Sequence, residues 1–448
     1  MSFPRYPSYR ASGAEWLGDV PAHWAVRPLK HVATLASGGT PDKARSDYWN
    51  GNVPWASSKD LKVSRLADTE DHITQLAIDE GAANLIPAGR ILVVVRGMIL
   101  AHSFPVATTL TPMAINQDFK AVRPGDGIDV SYLAWLLRGA AGETATRVEE
   151  AAHGTKVLRL DRWTSMALPV PPVEEQRALS AFLDRETAMI DALVADQERL
   201  IELLKEKRQA VVSHAVTEGL NPDAPMKPSA IEWLGAMPAH WTLGRIRSVS
   251  SFVTSGPRGW SERISDGGAL FIQSGDLNDD LEVNFTAAKR VAVEIGAETA
   301  RTQLHRGDVL VCITGAKTGN VAVCHSDSEA AYVNQHLCLV RPSRRVLPRF
   351  LGMTLKSQVG QTHFELDQYG LKQGLSLENV KDCPVPLPPL PEQEAVVRHI
   401  DAQAQITGVL LKSAGRAIAL LQQRRTGVVS AAVTGQIDVR GIEHPASE

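Results

Sequence analysis

Apolar and polar positions along the chain alternate between two kinds of pattern, and the alternation happens twice. Short continuous apolar runs, ILVVV at 91–95 and VLVCI at 309–313, are bounded by Gly and charged residues and predict buried strands. Each lies in a Pro- and Gly-punctuated stretch of mixed strand and helix character. A Pro-rich stop follows in both places, LPVPPVEEQ at 168–176 and CPVPLPPLPEQE at 383–394. Those prolines oppose helix before them and permit it after, and the acidic residues suit a helix N-terminus. Beyond each stop comes a long helical pattern with no internal Pro, the first from about Glu174 to Thr217.

In the first helix Ile190, Leu193, Gln197, Leu200, Leu204, Lys207 and Val211 recur at steps of three and four, with Met189, Ile201 and Leu203 broadening the stripe. The matched positions of the second are Thr407, Leu410, Ala414, Ala417, Leu421, Arg424 and Val428, a seam of smaller residues, with Leu411 and Ile418 beside it. A helix of about 40 residues is ~60 Å long, and its one-sided apolar stripe needs a partner. Either the two helices pair as a coiled coil, parallel or antiparallel, or each packs on its own globular domain. The small residues Ala414 and Ala417 favour pairing on Leu410, Leu421 and Val428 against Ile190, Leu193, Leu200, Leu204 and Val211.

The alternation is a duplication. EWLGDVPAHW at 15–24 returns as EWLGAMPAHW at 232–241, an offset of 217. Glu175-Gln176 and Glu392-Gln393 keep that offset, as do Ala215-Val216-Thr217 and Ala432-Val433-Thr434. Asn116-Gln117 with Asn334-Gln335, and Asp60-Leu61 with Asp276-Leu277, shift it by one. The predicted fold class is α+β, with two pseudo-symmetric globular domains separated by two long helices. The expected divisions are a first domain at 1–172, helix 173–218, linker 219–228, a second domain at 229–390, helix 391–437 and a tail at 438–448.

Composition changes little. The 448 residues carry 44% hydrophobic and 22% charged side chains, enough for a sizeable core, and no apolar run approaches a membrane span. Without an apolar leader at MSFPRYPSYR, a cytoplasmic place is expected. The net charge of −3 leaves nucleic-acid binding to local patches. Cys312, Cys324, Cys338 and Cys383 form no C-x-x-C pair, so buried reduced thiols are expected rather than disulfides, or a zinc site with His325 and His336.

Tyr6-Pro-Ser-Tyr9, EWLGDVPAHW, SGGTP at 37–41, Pro54-Trp55 and LPVPPVEEQ followed by helix and AVTEG, in an order repeated twice, resemble the specificity subunit of type I restriction-modification systems. The resemblance runs from Pro4 to about Asp438. It implies two target-recognition domains, each reading one half of a split double-stranded DNA site, and helices that fix the gap and dock partners. Those partners are methylation subunits, two of them, and restriction subunits held through the methylation complex. It implies no cofactor in this chain; S-adenosylmethionine, ATP and Mg belong to the partners. SGGTPDKARSDYWNGNVPWASSKDL and SGPRGWSERISDGGALFIQSGDL share a frame and differ in filling, as reading unlike half-sites requires.

DNA readers need Lys, Arg and small polar groups on loops. The candidates in the first copy are Thr40, Lys43, Arg45, Ser57, Ser58, Lys59, Arg96, Thr155 and Lys156, the last two after Gly154. In the second they are Arg258, Trp260, Arg263, Gln273, Ser274, Lys317, Thr318, Asn320, Lys372 and Gln373. Tyr48, Trp49 and Trp55 read as packing residues, and Trp16, Trp24, Trp233 and Trp241 as anchors or partner contacts. No catalytic residue is assigned. TGAKTGN at 314–320 fails as a phosphate loop because the glycine required ahead of Lys317-Thr318 is absent, and Asn221-Pro222-Asp223 is not a methyl-transfer loop. The alternative is a self-contained metal-dependent endonuclease built on Pro41-Asp42 and Asp60-Leu61-Lys62. The second copy lacks that lysine, so Asp60 is expected to serve the fold.

Overall fold

The computed structural model describes residues 3–151, 154–294, 296–368 and 374–441. Two helices dominate the chain, Val173–Thr217 and Leu390–Val433, and both begin at the Pro-rich stops. Two compact units form around them. The first comprises Met1–Gln197 with Arg416–Glu448, the second Glu198–Gly415. Each long helix therefore starts in the unit it follows and ends in the other. Residues 437 and 439, on either side of the expected tail boundary, are buried apolar members of the first unit's core.

The same strand order builds both units. In the first, the main sheet runs Ala33–Ser37, Phe119–Pro124, Ile91–Val94, Val106–Thr109 and Arg65–Leu66, antiparallel except for the last pair. In the second it runs Ser250–Ser255, Leu337–Pro342, Val309–Cys312 and Val321–Val323, all antiparallel, and the fifth place is held by one parallel bridge from Glu282 to Val323. The predicted strands Ile91–Val94 and Val309–Cys312 are buried at every position. Both faces are covered, which is why their sequences do not alternate. A second sheet in each unit contains a parallel pair: Trp49–Ala56 with Met113–Ile115, and Ala269–Ile272 with Ala331–Val333.

The repeated motifs are the joints of this frame. Ala25–Pro28 pairs with Ala167–Val170, and Thr242–Arg245 with Pro384–Leu387, bringing each domain's opening segment beside the Pro-rich stop. Gln176 is fully buried at the first helix start. Its amide donates to the carbonyls of Gly127 (3.0 Å) and Pro171 (2.8 Å) and accepts from the Asp129 N–H (2.8 Å). Gln393 repeats this with Arg345 (3.1 Å), Pro388 (2.9 Å) and the Leu347 N–H (2.8 Å). A buried amide with every such bond made locks a helix to a sheet in one register.

The preceding glutamates hold the decapeptides. Buried Glu175 accepts from the Trp24 indole (3.0 Å) and from the Tyr6 hydroxyl, and pairs with His23 (2.8 Å). Glu392 pairs with His240 at 2.8 Å. Tyr6 has no counterpart, since position 223 is Asp, and the fully buried Trp241 indole N–H has no partner among the described residues. Each tryptophan is closed over by the far end of a long helix. Gly435 (φ +76°) lies against Trp24 and Pro21, and Gly219 (φ +81°) against Trp241 and Pro238. Any side chain at either glycine would be strained and would press on the indole.

The shielded face of each long helix differs from the expected one. Leu193, Leu200 and Leu410 are 48%, 41% and 46% exposed. The shielded positions are Ile190, Val194, Gln197, Ile201, Leu204, Arg208 and Val211 on the first helix, and Thr407, Leu411, Ala414, Ile418, Leu421, Arg425 and Val428 on the second. Ala417 is half-buried as well. Ile190, Leu204, Ala414, Leu421 and Val428 thus keep their expected side, while every alternate position moves by one residue. The physical reason is that apolar residues occupy two neighbouring faces, so spacing alone fits either; packing selects one. Val428 also joins the first unit's hydrophobic cluster. Within the first unit Arg425 pairs with Asp191 (2.8 Å) and Arg424 with Glu186 (3.7 Å). Within the second, residues 207, 208, 211 and 212 line a small cleft with 400, 403, 404 and 407.

Candidate nucleic-acid interface

The loops that differ between the copies emerge from one corner of each domain. In the first, the Asn116-Gln117 turn ends the strand Met113–Ile115. The buried Asn116 side chain accepts from the Asp118 N–H (3.1 Å), and its own N–H donates to Ala56 (3.0 Å). Gly38 passes so close that a Cβ there would meet Ile115 O at 2.0 Å and Asn116 O at 2.3 Å. Gly256 meets Val333 O and Asn334 O at 2.0 and 2.4 Å in the second copy. Only glycine fits, which explains the repeated Ser-Gly.

Four further segments join this corner in the first domain. Thr40 Oγ1 donates to Gln117 Oε1. The Val95 N–H donates to Asp118 (2.8 Å), Leu158 to Val95 (2.9 Å) and Gly97 to Lys156 (2.9 Å), so Arg96 and the 155–156 hairpin lie together. Trp55 donates its indole N–H to Gly39 (3.0 Å), fixing the loop that leads to Lys43. The second domain repeats the pattern. Ile313 donates to His336 (2.9 Å), Leu375 to Ile313 (2.9 Å) and Asn334 to Ile272 (3.0 Å), which leads into Gln273 and Ser274. The Thr314 hydroxyl contacts His336 Nδ1, and Gln335 reaches His336 Nε2 at 3.3 Å.

Several candidates are committed within the fold. Arg45 makes a bidentate pair with Asp47 (3.0 and 2.6 Å) and lies 4.1 Å over the Tyr48 ring, and the Asp47 bond raises its already high pKa. Lys59 pairs with Asp71 (2.9 Å) and Glu70 (3.3 Å), and Lys156 with Glu150 (2.7 Å), whose carboxyl is held below the usual range by that lysine. The Ser57 N–H and hydroxyl both serve Asp60 (2.8 and 3.0 Å), which also accepts the Glu70 N–H (2.9 Å). Asp276 takes the Gln273 N–H (2.7 Å) in the same way. The Thr318 hydroxyl donates to Gly315 O at 2.7 Å.

One candidate is corrected. Trp260 is 3% exposed in a cluster with Phe271, Val291 and Tyr332, so its ring is core. The Asn320 amide donates to Leu277 O (3.1 Å) and accepts from Lys356 Nζ (2.5 Å); it braces the loop. Lys43, Ser58, Arg96, Arg258, Arg263 and Lys317 are exposed, and the five cations have no ion pair among the described residues. Lys372 and Gln373 lie outside the described residues. Spacing-based reading overlooked Gln117, Gln335, Thr314 and His336 as surface groups, although the repeated Asn-Gln pointed to the first two. Among the described residues no group of three His, Cys, Asp or Glu stands where it would hold a metal ion, and no helix is long and apolar enough to cross a membrane.

These features define a class: two copies of one sheet frame, each with divergent loops at one corner, joined through long helices. The chain belongs to the type I restriction modification DNA specificity domain family, whose model matches residues 21–203 and 240–409. It is 32% identical over 199 residues to the specificity subunit of the EcoR124I/EcoR124II type I restriction enzyme of Escherichia coli, covering 44% of this chain and 46% of that one. The EcoBI specificity subunit of Escherichia coli is 26% identical over 279 residues, 60% and 58% of the two chains. The chain thus spans about half the length of these curated relatives. The HsdS subunit from Thermoanaerobacter tengcongensis has the same fold, with TM-score 0.53, 18% identity and coverage of 93% and 98%. A chain solved to show complex assembly and conformational transition of the type I R-M system matches with TM-score 0.72, 17% identity and coverage of 93% and 99%.

Proposed function

We propose that this chain is the non-catalytic DNA sequence-recognition subunit of a type I restriction-modification complex. Each domain reads one half of a bipartite site, with the divisions 1–172 and 229–390 as the reading parts. One observation carries this: both domains keep an identical corner, Ser-Gly against Asn-Gln, while the loops leaving it share almost nothing. A frame retained with its exposed loops replaced suits reading two unlike sequences. Lys43, Arg96, Arg258, Arg263 and Lys317, without an ion pair among the described residues, stand on those loops, with Gln117 and Gln335 as base-reading candidates.

The helices act as the ruler, pairing antiparallel as a coiled coil. The pairs Asp191–Arg425 and Glu186–Arg424, and the neighbourhood of 207–212 with 400–407, support that sense. Approximate twofold symmetry then lets one chain meet two copies of the same methylation subunit. Exposed apolar residues recur at equivalent helix positions, Met189 with Ile406, Leu193 with Leu410 and Leu203 with Leu420, and suit such docking. Restriction subunits join through that complex, in the cytoplasm, and S-adenosylmethionine, ATP and Mg serve the partners. The endonuclease alternative gains no support, since the Asp60 carboxylate is taken up by Ser57 and Glu70 of its own loop.

Sequencing of modified bases in DNA from a methylation-free host tests this. The host carries the chain together with the methylation subunit encoded beside it. A split motif, modified in both halves and lost on deleting the chain, is the expected result. Modification that persists unchanged without the chain would refute the reading.

A further inference from the structure

Most residues of the repeated decapeptide have an internal task. Leu17 and Leu234, Trp24 and Trp241 are buried; Gly18 and Gly235 take φ of +59° and +71°; His23 and His240 hold the helix-start glutamates. Glu15 and Glu232 have none. Both are exposed, and among the described residues neither side chain makes a hydrogen bond or ion pair. The adjoining tryptophans stay on the surface. Trp16 is half-buried, donates to Ala167 O at 3.2 Å, and lines a concavity of about 520 Å³ with Glu15, Glu143, Arg147 and Met166. Trp233 is 36% exposed, with no hydrogen bond from its indole among the described residues. Arg147 is already neutralised by Glu143 at 2.8 Å, so the concavity keeps the Glu15 charge uncompensated.

In each copy a carboxylate with no bond among the described residues stands beside a partly exposed indole, and its retention where neighbouring loops have diverged points to a contact outside the chain. Because it is retained twice, that contact is made twice. A carboxylate beside an indole repels phosphate and suits a guanidinium or ammonium, through a charge-assisted bond and a cation–π contact. We propose that Glu15-Trp16 and Glu232-Trp233 are two equivalent docking contacts for a basic side chain of the methylation subunit, one subunit at each. This rests on the function proposed above and adds a contact to those on the helices.

The test is copurification of the full-length chain with the methylation subunit encoded beside it, with mass and affinity measured by light scattering and titration. Wild type should bind two subunits. Glu15→Lys or Glu232→Lys should weaken one of the two binding events at least tenfold, and the double variant both, with melting temperatures unchanged. Trp16→Ala and Trp233→Ala should act on the same events. A double lysine variant that binds two subunits as tightly as wild type overturns the contact and leaves the wider reading standing. A wild-type chain that binds no methylation subunit overturns both.

Discussion

The backbone N–H of Asp438 donates to the carbonyl of Pro4 at 2.9 Å. Under the 217-residue offset both positions correspond to 221, where the chain is continuous between the first helix and the second domain. Arg5 to Gln436 (3.0 Å) and the Tyr9 hydroxyl to Gly435 O (3.0 Å) hold the same junction. The repeat therefore closes on itself. Joining residue 438 to residue 4 through a short linker, and opening the chain within 220–226, should give a folded protein that melts within a few degrees of wild type. Failure of the permuted chain to fold would mean that the order of the halves matters to assembly.

Gln176 and Gln393 each bond three backbone groups, with the bond to the Pro171 or Pro388 carbonyl buried and the other two part-buried. Replacing either by Leu strands those groups and should cost about 2–3 kcal/mol, read from urea unfolding.

The two buried tryptophans differ in a measurable way. Trp24→Phe removes a bond to Glu175, whereas Trp241→Phe removes an N–H with no partner among the described residues. The first should be the more destabilising, by about 1–2 kcal/mol, in the same unfolding experiment. Equal costs would contradict the asymmetry.

All four cysteines are buried, and burial pushes the Cys338 thiol up to about 12 and that of Cys324 to about 11. The thiolate is the reactive form, so in native protein at pH 8 neither should react with a thiol reagent within minutes. All four should titrate after denaturation.

Cations with and without an ion pair among the described residues should separate in DNA binding. Arg258→Ala or Lys317→Ala should weaken binding of only the second domain's half-site, by about 1–3 kcal/mol for a base contact. A pure phosphate contact would lower all sequences alike and reduce the salt slope by about 1. Arg45→Ala and Lys59→Ala, already bound to acids, should do less, as titration against both half-sites will show.

Inserting one heptad into each long helix, at matched positions within 194–204 and 411–421, lengthens both by ~10 Å. The unread gap should grow by about 3 base pairs with both half-sequences unchanged, as modification sequencing will show. An altered half-sequence would sink the ruler.

The sequence by itself determined the duplication, the place of both Pro-rich stops, the helix that begins within a residue of Glu174, and the strands at 91–94 and 309–312. These follow from local rules: proline geometry, helix-start acids and unbroken apolar runs. Tertiary structure alone decided which helix face is shielded, because Leu193 and Val194, or Leu200 and Ile201, are equally apolar and only packing separates them. It also decided that Asp71 takes Lys59 and Glu150 takes Lys156, while Arg258 and Lys317 have no ion pair among the described residues. Charge pairing depends on distances across loops, which residue type does not encode. Trp260 turned inward for the same reason: Phe271, Val291 and Tyr332, distant along the chain, meet beneath it.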